Sequence, residues 1–574
     1  MVQTSIVSPP RHAQGGRPAQ PGFRPDIEGL RAVTLLAILG FHAEVPGAGG
    51  GFVGPDIFFI ISGFVITGQL WKDIDTTGSV GLRRFYAGRA RRLLPVSALI
   101  GTITMIGSAI LLPPMQLRNV IGDGIACALY VGNYRFAFQG VDYFAADRAP
   151  SPFQHFWTLG VEEQFYLIWP VLLVGTAWLT MRGRRGAKLP AAPSKSPYIV
   201  LLILIGGASF AYSLWATDVM PSMAYFSLPS RAWDLAAGCL LALTAHHWRR
   251  LPKTPAIAIG WAGFALILLA CNRFRPTTPY PGTAALVPLL GTLLVLGAGC
   301  AAPSDGCGRV LAWGPLRAIG RLSYSWYLWH WPILLFVPLL LDRPVGLADR
   351  LAAVAISGGL AVLTLHVVEN PLRYAARLRR SAKASLALGA VATAAAACVG
   401  FVMLMLIPAP VGRSVAAQAL DVTAGTPLVN ATADEYNKAI QRAFAQVQTA
   451  VAESADLPDV PSNLDPSLEG AAGEPQRLFF DGCLRNFLEV GVPECAMADT
   501  SSSTTVALIG DSNGAMWTPA LQEVAAQRHW RLEMMAKGNC PVMDLPTIIS
   551  GRPYTECEQW RNDVTARLQK EHRS

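Results

Sequence analysis

Apolar stretches long enough to cross a bilayer alternate with short polar loops from Leu30 to about residue 407. A spanning helix needs about 20 predominantly apolar residues. The pattern predicts eleven spans, at roughly 27–45, 52–71, 93–112, 155–180, 197–216, 226–245, 254–271, 283–301, 321–341, 348–369 and 385–407. The stretch 118–138 is also apolar, but it carries Asp123, Asn133 and Arg135 and reads as interfacial or re-entrant. Residues 1–25 are polar and rich in Pro, Gly and Arg. They lack the apolar core of a signal peptide and read as a cytoplasmic tail. Residues 408–475 form a linker with one amphipathic helix near Asp434–Val451. From residue 476 the pattern becomes soluble α/β. Thr504–Ile509 is a β-rich run, Gly510-Asp511-Ser512 a turn, Gly514–Arg528 a helix and Trp530–Met535 a second strand. Strand, tight turn and helix open a parallel-sheet unit, and the sheet is not completed within this chain.

Composition supports the membrane reading. Of 574 residues, 52% are hydrophobic and only 15% charged, against about 25% charged in soluble domains. The net charge of +9 could point to nucleic acid, but its distribution favours Lys and Arg holding cytoplasmic loops. Lys and Arg gather at Arg11–Arg31, Lys72–Arg92, Arg182–Lys195, Arg249–Lys253, Arg309–Arg321 and Arg373–Lys383. These are alternate loops, so they share the cytoplasmic side. An odd number of spans then puts the N-terminus inside and residues after 407 outside. The ten cysteines divide the same way. Cys127, Cys239, Cys271, Cys300, Cys307 and Cys398 lie in or beside apolar segments and read as small fillers. Cys483, Cys495, Cys540 and Cys557 form an even set in the polar C-terminal region, as expected where disulfides form.

Ionisable residues inside spans are costly and are functional candidates by default. Arg31 and His42 lie eleven positions apart on the first span. That is close to three helical turns, so they share a face about 16 Å apart. The pair suits a tunnel with an anion anchor at its cytoplasmic end and a proton acceptor toward the outer side. A His titrating near neutrality can act as general base; a packing role is the alternative. Glu44 either orients His42 or is a rim charge. Pairing requires the helix to end before Pro46, because two positions on a regular helix point about 200° apart. The run from Arg83 to Arg92 anchors the third span, and its density with Tyr86 also suits phosphate binding.

These residues carry a resemblance. Phe23-Arg24-Pro25-Asp26-Ile27-Glu28-Gly29-Leu30-Arg31, the Arg31/His42 spacing, Gly54-Pro55-Asp56-Ile57-Phe58-Phe59 through Phe64, and Arg89-x-x-Arg92 are its first elements. Phe156-Trp157-Thr158-Leu159-Gly160-Val161-Glu162-Glu163-Gln164-Phe165-Tyr166, Ser323 through Pro332, and Val368-Glu369-Asn370-Pro371 follow in order. Together they resemble the membrane acyltransferase family 3. Gly510-Asp511-Ser512 resembles the first block of an SGNH hydrolase-like domain fused to it. The resemblance implies a polytopic α-helical membrane domain over 26–375, an extra helix at 385–407, and a truncated extracytoplasmic SGNH-like domain over 476–574. It implies transfer of an acyl group, commonly acetyl, from cytoplasmic acyl-CoA to a glycan outside, in a bacterial cytoplasmic membrane. By it His42 is the catalytic His, Arg31 its partner in the motif, and Arg89 and Arg92 the donor-side arginines. No metal is expected.

Glu162 and Glu163 are either site residues or buried acids held by hydroxyls. Ser323, Tyr327 and His330 share a helix face and line the pathway or pack. In the outer domain Ser512, with Asp511, is the candidate nucleophile. Asn513 stands where the family usually has His, and the Asp-x-x-His block that supplies a base is absent from the chain. His572 is a poor substitute. Gly538 and Asn539 are candidate oxyanion groups. Cys483–Cys495 and Cys540–Cys557 are the favoured disulfides, although spacing leaves the connectivity open. Two further functions stay open: a transporter of acyl groups or lipid-linked glycan, and a membrane scaffold with an inactive outer domain.

Overall fold

The computed structural model describes residues 24–571 except 78, 140–149, 184–193, 409–410, 419, 424–429, 458, 466, 469–481 and 550–551. The polar tail up to Phe23 and His572 lie outside the described residues. The chain forms two compact units, residues 1–107 with 123–400 and residues 108–122 with 401–574.

Up to Leu406 the regular elements are all helical. They are α1 (Pro25–His42), α2 (Gly54–Thr77), α3 (Leu82–Leu111), α4 (Pro114–Ala128), α5 (Gly132–Phe138), α6 (Trp157–Gly183), α7 (Ser196–Val219), α8 (Pro221–Phe226) and α9 (Leu228–Trp248). They continue with α10 (Lys253–Arg273), α11 (Leu286–Ala301), α12 (Cys307–Leu311), α13 (Gly314–Leu341), α14 (Leu347–Thr364), α15 (Asn370–Tyr374), α16 (Ala376–Arg380) and α17 (Ala382–Leu406). Each of the eleven expected spans is occupied by a helix. Seven stretches among the described residues are long and apolar enough to cross a membrane. α1, α6, α9 and α11 are not among them. α11 has only 16 residues, and α1 and α9 carry charges within the apolar stretch: Arg31 on α1, and Arg231 and Asp234 on α9. The stretch 118–138 breaks into α4 and α5 with a turn at Tyr130, whose φ is 59°. Asp123 accepts a 2.6 Å hydrogen bond from Arg135 there, so both charges are neutralised locally.

Two helix pairs set the framework. α1 and α13 run parallel, since Arg31 meets Ser323 and His42 meets His330. They cross closely because Gly320 has no side chain: a Cβ there would lie 1.9 Å from the Glu28 carbonyl oxygen. α2 and α9 are parallel as well, joined by Asp56 to Arg231 at one level and by Gly63 against the Leu235 carbonyl further along.

The second unit contains α18 (Ala433–Ser454), opened by a capping box in which Thr432 and Glu435 exchange hydrogen bonds. It occupies the expected amphipathic segment. A small sheet follows, built from β1 (Leu484–Arg485), β2 (Ala496–Ala498), β3 (Thr505–Gly510) and β4 (Arg531–Lys537). β1 and β3 pair parallel with β4, and β2 pairs antiparallel. β3 leads through a turn into α19 (Ser512–Ala515) and α20 (Thr518–Arg528), and β5 (Ile548–Ile549), β6 (Arg552–Pro553) and α21 (Thr555–Glu571) close the unit. Cys483 is bonded to Cys495 and Cys540 to Cys557, each bond beside its own hydrophobic cluster. The six membrane-domain cysteines are free; Cys127, Cys239 and Cys307 are buried fillers, while Cys398 is exposed.

Candidate active site

His42 is the last residue of α1 and is only partly buried. Its Nδ1 lies 2.8 Å from His330 Nε2 on α13, and the Trp331 ring packs on it at 4.5 Å between centroids. His330 is fully buried. Its Nδ1 lies 2.5 Å from the Tyr327 carbonyl oxygen. His155 completes a histidine cluster, with its ring 5.6 Å from that of His330 and its Nε2 3.0 Å from the Leu328 carbonyl. The Tyr327 hydroxyl donates to the His155 carbonyl at 2.9 Å and accepts from Thr158 at 3.0 Å, which locks this corner.

Arg31 donates to Ser323 Oγ at 2.8 Å. Arg31 and His42 are eleven residues apart, whereas Ser323 and His330 are seven apart. The four-residue difference is about 6 Å of rise, which the long Arg31 side chain spans. Arg89 stacks over Tyr166 at 3.7 Å from the ring centroid and pairs with Glu163 at 3.9 Å. Arg92 lies in the electrostatic field of Arg31, Arg89 and Arg373, opposed by Glu369. The Nε atoms of Arg89 and Arg92 are buried with no hydrogen-bond acceptor. Glu162 accepts from Ser62 at 2.8 Å. The structure therefore gathers Arg31, Arg89 and Arg92, which lie on two different helices, into one group.

Glu44 is a correction. The helix ends at His42, and Glu44 adopts φ 54°, which turns its carboxylate away to pair with Arg350. It is a rim charge, 69% exposed at its side chain, and it does not orient His42.

Sequence reasoning assigned no role to two features, although Glu369 and Asp56 stand in its motifs. Glu369 is buried at the end of a π-helical turn, Leu365–Glu369, and accepts from Ser325 at 3.0 Å. Its signal was an acid within an apolar span, just before Asn370-Pro371. The second is a buried knot of Asp56, Arg231, Asp234 and Tyr280. Arg231 donates to Asp56 at 2.7 Å, the Tyr280 hydroxyl bonds the other Asp56 oxygen, and both Asp234 oxygens are buried without a partner. Opposite charges in two apolar segments, at Asp56 and Arg231, were its only trace in the sequence.

In the second unit Ser512 opens α19 directly beyond β3. Asp511 caps that turn, accepting from the Asn513 and Gly514 amides at 2.9 and 3.2 Å. The register Gly510 to Ala536 brings Gly538 and Asn539 to the same end of the sheet. Gly538 is a correction: its amide already donates to the Arg485 carbonyl at 2.9 Å, which removes it as an oxyanion donor. Asn539 has φ 52°, and Lys537, two residues earlier, clamps the loop that follows β1. The buried Lys537 ammonium donates to the carbonyls of Asn486 at 2.7 Å and Glu489 at 2.6 Å, and burial pulls it down to about 8. The one described His of this unit, His529, caps the far end of α20 beside Asp499. It sits at the start of β4, about 20 Å of strand from the Ser512 end.

A polytopic helix bundle with a half-buried arginine group and a histidine cluster toward opposite ends of one helix, followed by an α/β unit with a Gly-Asp-Ser turn, is the architecture of a membrane acyltransferase with an SGNH domain. The acyltransferase domain family matches residues 24–367, and the SGNH domain fused to such domains matches residues 482–574. The chain belongs to this acyltransferase-3 family; it is a multi-pass membrane protein with an extracytoplasmic C-terminal SGNH domain. The peptidoglycan O-acetyltransferase OatA of Listeria monocytogenes is 34% identical over 61% of this chain and 56% of its own length. The putative peptidoglycan O-acetyltransferase YrhL of Bacillus subtilis is 32% identical over 61% and 55%. A putative O-acetyltransferase of Staphylococcus aureus is 31% identical over 61% and 57%. The chain thus spans about half the length of these curated relatives. No solved structure matches it. Among the described residues no group of His, Cys, Asp and Glu is arranged to hold a metal ion.

Proposed function

We propose that this protein is an O-acyltransferase that takes an acyl group, most simply acetyl, from cytoplasmic acyl-CoA and passes it across the membrane to a glycan of the cell envelope. The carrying observation is the shared face of α1. Arg31 at one end joins the arginine group, and His42 at the other end joins the histidine cluster, both against α13. The arginines have buried nitrogens that lack acceptors, and the phosphates of a coenzyme A thioester supply acceptors of the right kind. His42 is the general base. It takes the proton of an acceptor hydroxyl as that oxygen attacks the thioester carbonyl; the C–S bond breaks and the thiolate leaves, to be protonated in turn.

The eleven-span topology belongs to the same reading. With eleven spans, α1 and α13 are the first and ninth and run parallel; α2 and α9 are the second and sixth and also run parallel. The relatives' names point to peptidoglycan as the glycan class to test first. Ser512 would receive the acyl group outside. The described residues hold no His near it, so first contact with the donor is assigned to His42.

Membrane vesicles carrying the full chain and labelled acetyl-CoA test this. His42→Ala should lower donor turnover by about 10²–10⁴-fold. Ser512→Ala should leave donor turnover intact even if transfer to glycan stops. Turnover retained in His42→Ala and lost in Ser512→Ala would place the first chemical step in the outer domain and defeat the proposal.

A further inference from the structure

His330 is fully buried on α13, and its two ring nitrogens face different partners. Nδ1 lies 2.5 Å from the Tyr327 carbonyl oxygen. A carbonyl oxygen only accepts, so Nδ1 carries the proton and donates it there. A neutral imidazole is the form that a fully buried site without a described carboxylate beside it accommodates. Its Nε2 is then an acceptor. That nitrogen lies 2.8 Å from His42 Nδ1, so His42 Nδ1 must carry the proton of this second hydrogen bond. The proton of a neutral His42 is thereby placed on Nδ1, and Nε2 holds the lone pair.

We propose that His330 is a positioning residue that fixes His42 in the tautomer presenting Nε2 as the base. This rests on His42 acting as general base. The surroundings of the pair support it. The two rings lie parallel, 7° apart with centroids 5.1 Å apart, and the Trp331 ring packs on His42 at 4.5 Å between centroids. His155 donates through Nε2 to the Leu328 carbonyl, which leaves its buried Nδ1 without a donor or acceptor partner. It therefore adds no proton to the His42–His330 bond. The chain Tyr327 carbonyl, His330, His42 does for an imidazole what a carboxylate does in a hydrolase triad: it sets which nitrogen is bare. It does so without placing a negative charge within the membrane.

Two measurements on the full chain in vesicles or detergent decide it. In turnover of labelled acetyl-CoA, His330→Leu removes the acceptor and should lower kcat by about 10²-fold or more with the donor KM unchanged. His330→Gln keeps an acceptor oxygen and should return kcat to within about tenfold of wild type. Nitrogen NMR of histidine-labelled wild type, with the His42 signal assigned by its loss in His42→Ala, should show Nδ1 protonated and Nε2 bare. Wild-type kcat in His330→Leu, or a protonated Nε2 on His42, overturns the inference. If His330→Leu does not fold, the NMR of the wild type decides alone. Turnover retained in His42→Ala defeats the general-base reading and this inference with it. Turnover lost in His42→Ala but kept in His330→Leu defeats this inference alone.

Discussion

Arg89 and Arg92 sit three residues apart on α3, so they point to one side of the helix. Anchoring at the cytoplasmic surface would leave their head groups in water. Instead both have buried nitrogens without acceptors, which costs about 1–3 kcal/mol each unless something occupies the site. Replacing both with Gln should raise the donor KM about tenfold or more, with expression unchanged. Unchanged donor affinity would return them to topology anchors. At this scale the sequence was informative about residues but not about partners. Arg31 and His42 were legible because helical spacing is local arithmetic. That His330 meets His42, and Arg350 meets Glu44, depends on how helices distant in sequence pack, which no local spacing encodes. Glu44 shows the limit: its left-handed backbone is set by the turn after α1, and that turn directs the carboxylate away.

At the scale of elements, the α1–α13 contact decides the site. Gly320 lets the two backbones approach, and a methyl group there would collide with a carbonyl that cannot move aside. Gly320→Ala should therefore destabilise the fold by about 1–3 kcal/mol and lower donor turnover with it. Gly359→Ala on α14, where a Cβ meets nothing within 4 Å, is the control. Thermal unfolding in detergent compares the two; equal midpoints would mean that the crossing is loose. The helices themselves were readable from apolar length. α1 and α9 are the instructive cases. Charges that weaken their hydropathy signal have polar partners in the folded bundle, Arg31 with Ser323 at 2.8 Å and Arg231 with Asp56 at 2.7 Å. The β3–turn–α19 unit was also readable, because strand, turn and helix are local. The antiparallel pairing of β2 with β4 was not, since three residues carry too little pattern.

For the whole molecule, the membrane reading places residues 408–574 on the side opposite the basic loops. A reporter fused after residue 410 should be active only outside the cytoplasm, and activity confined to the cytoplasm would refute eleven spans. The two disulfides fit an oxidising space, and the free thiols all belong to the helical unit or its last helix. Charge alternation is the sequence's argument for this topology, and it depends on counts per loop rather than on contacts. The division of the chain into compact units was not legible: residues 108–122 belong with the C-terminal unit, although they form the end of α3 and the start of α4.

The pairing of Arg31 with Ser323 joins residues 292 positions apart. During synthesis at about 5–20 residues per second, Ser323 follows Arg31 by about 15–60 s. Through that interval the first helix waits in or beside the bilayer with its guanidinium unmatched and its histidine alone. A bare arginine there is expensive, so the early chain must keep that side chain near the aqueous boundary or against the insertion machinery. The Arg31–His42 face is then completed late, when α13 arrives and packs alongside α1. A truncated product lacking α13 would keep most of its helices and still lack the partners of Arg31 and His42.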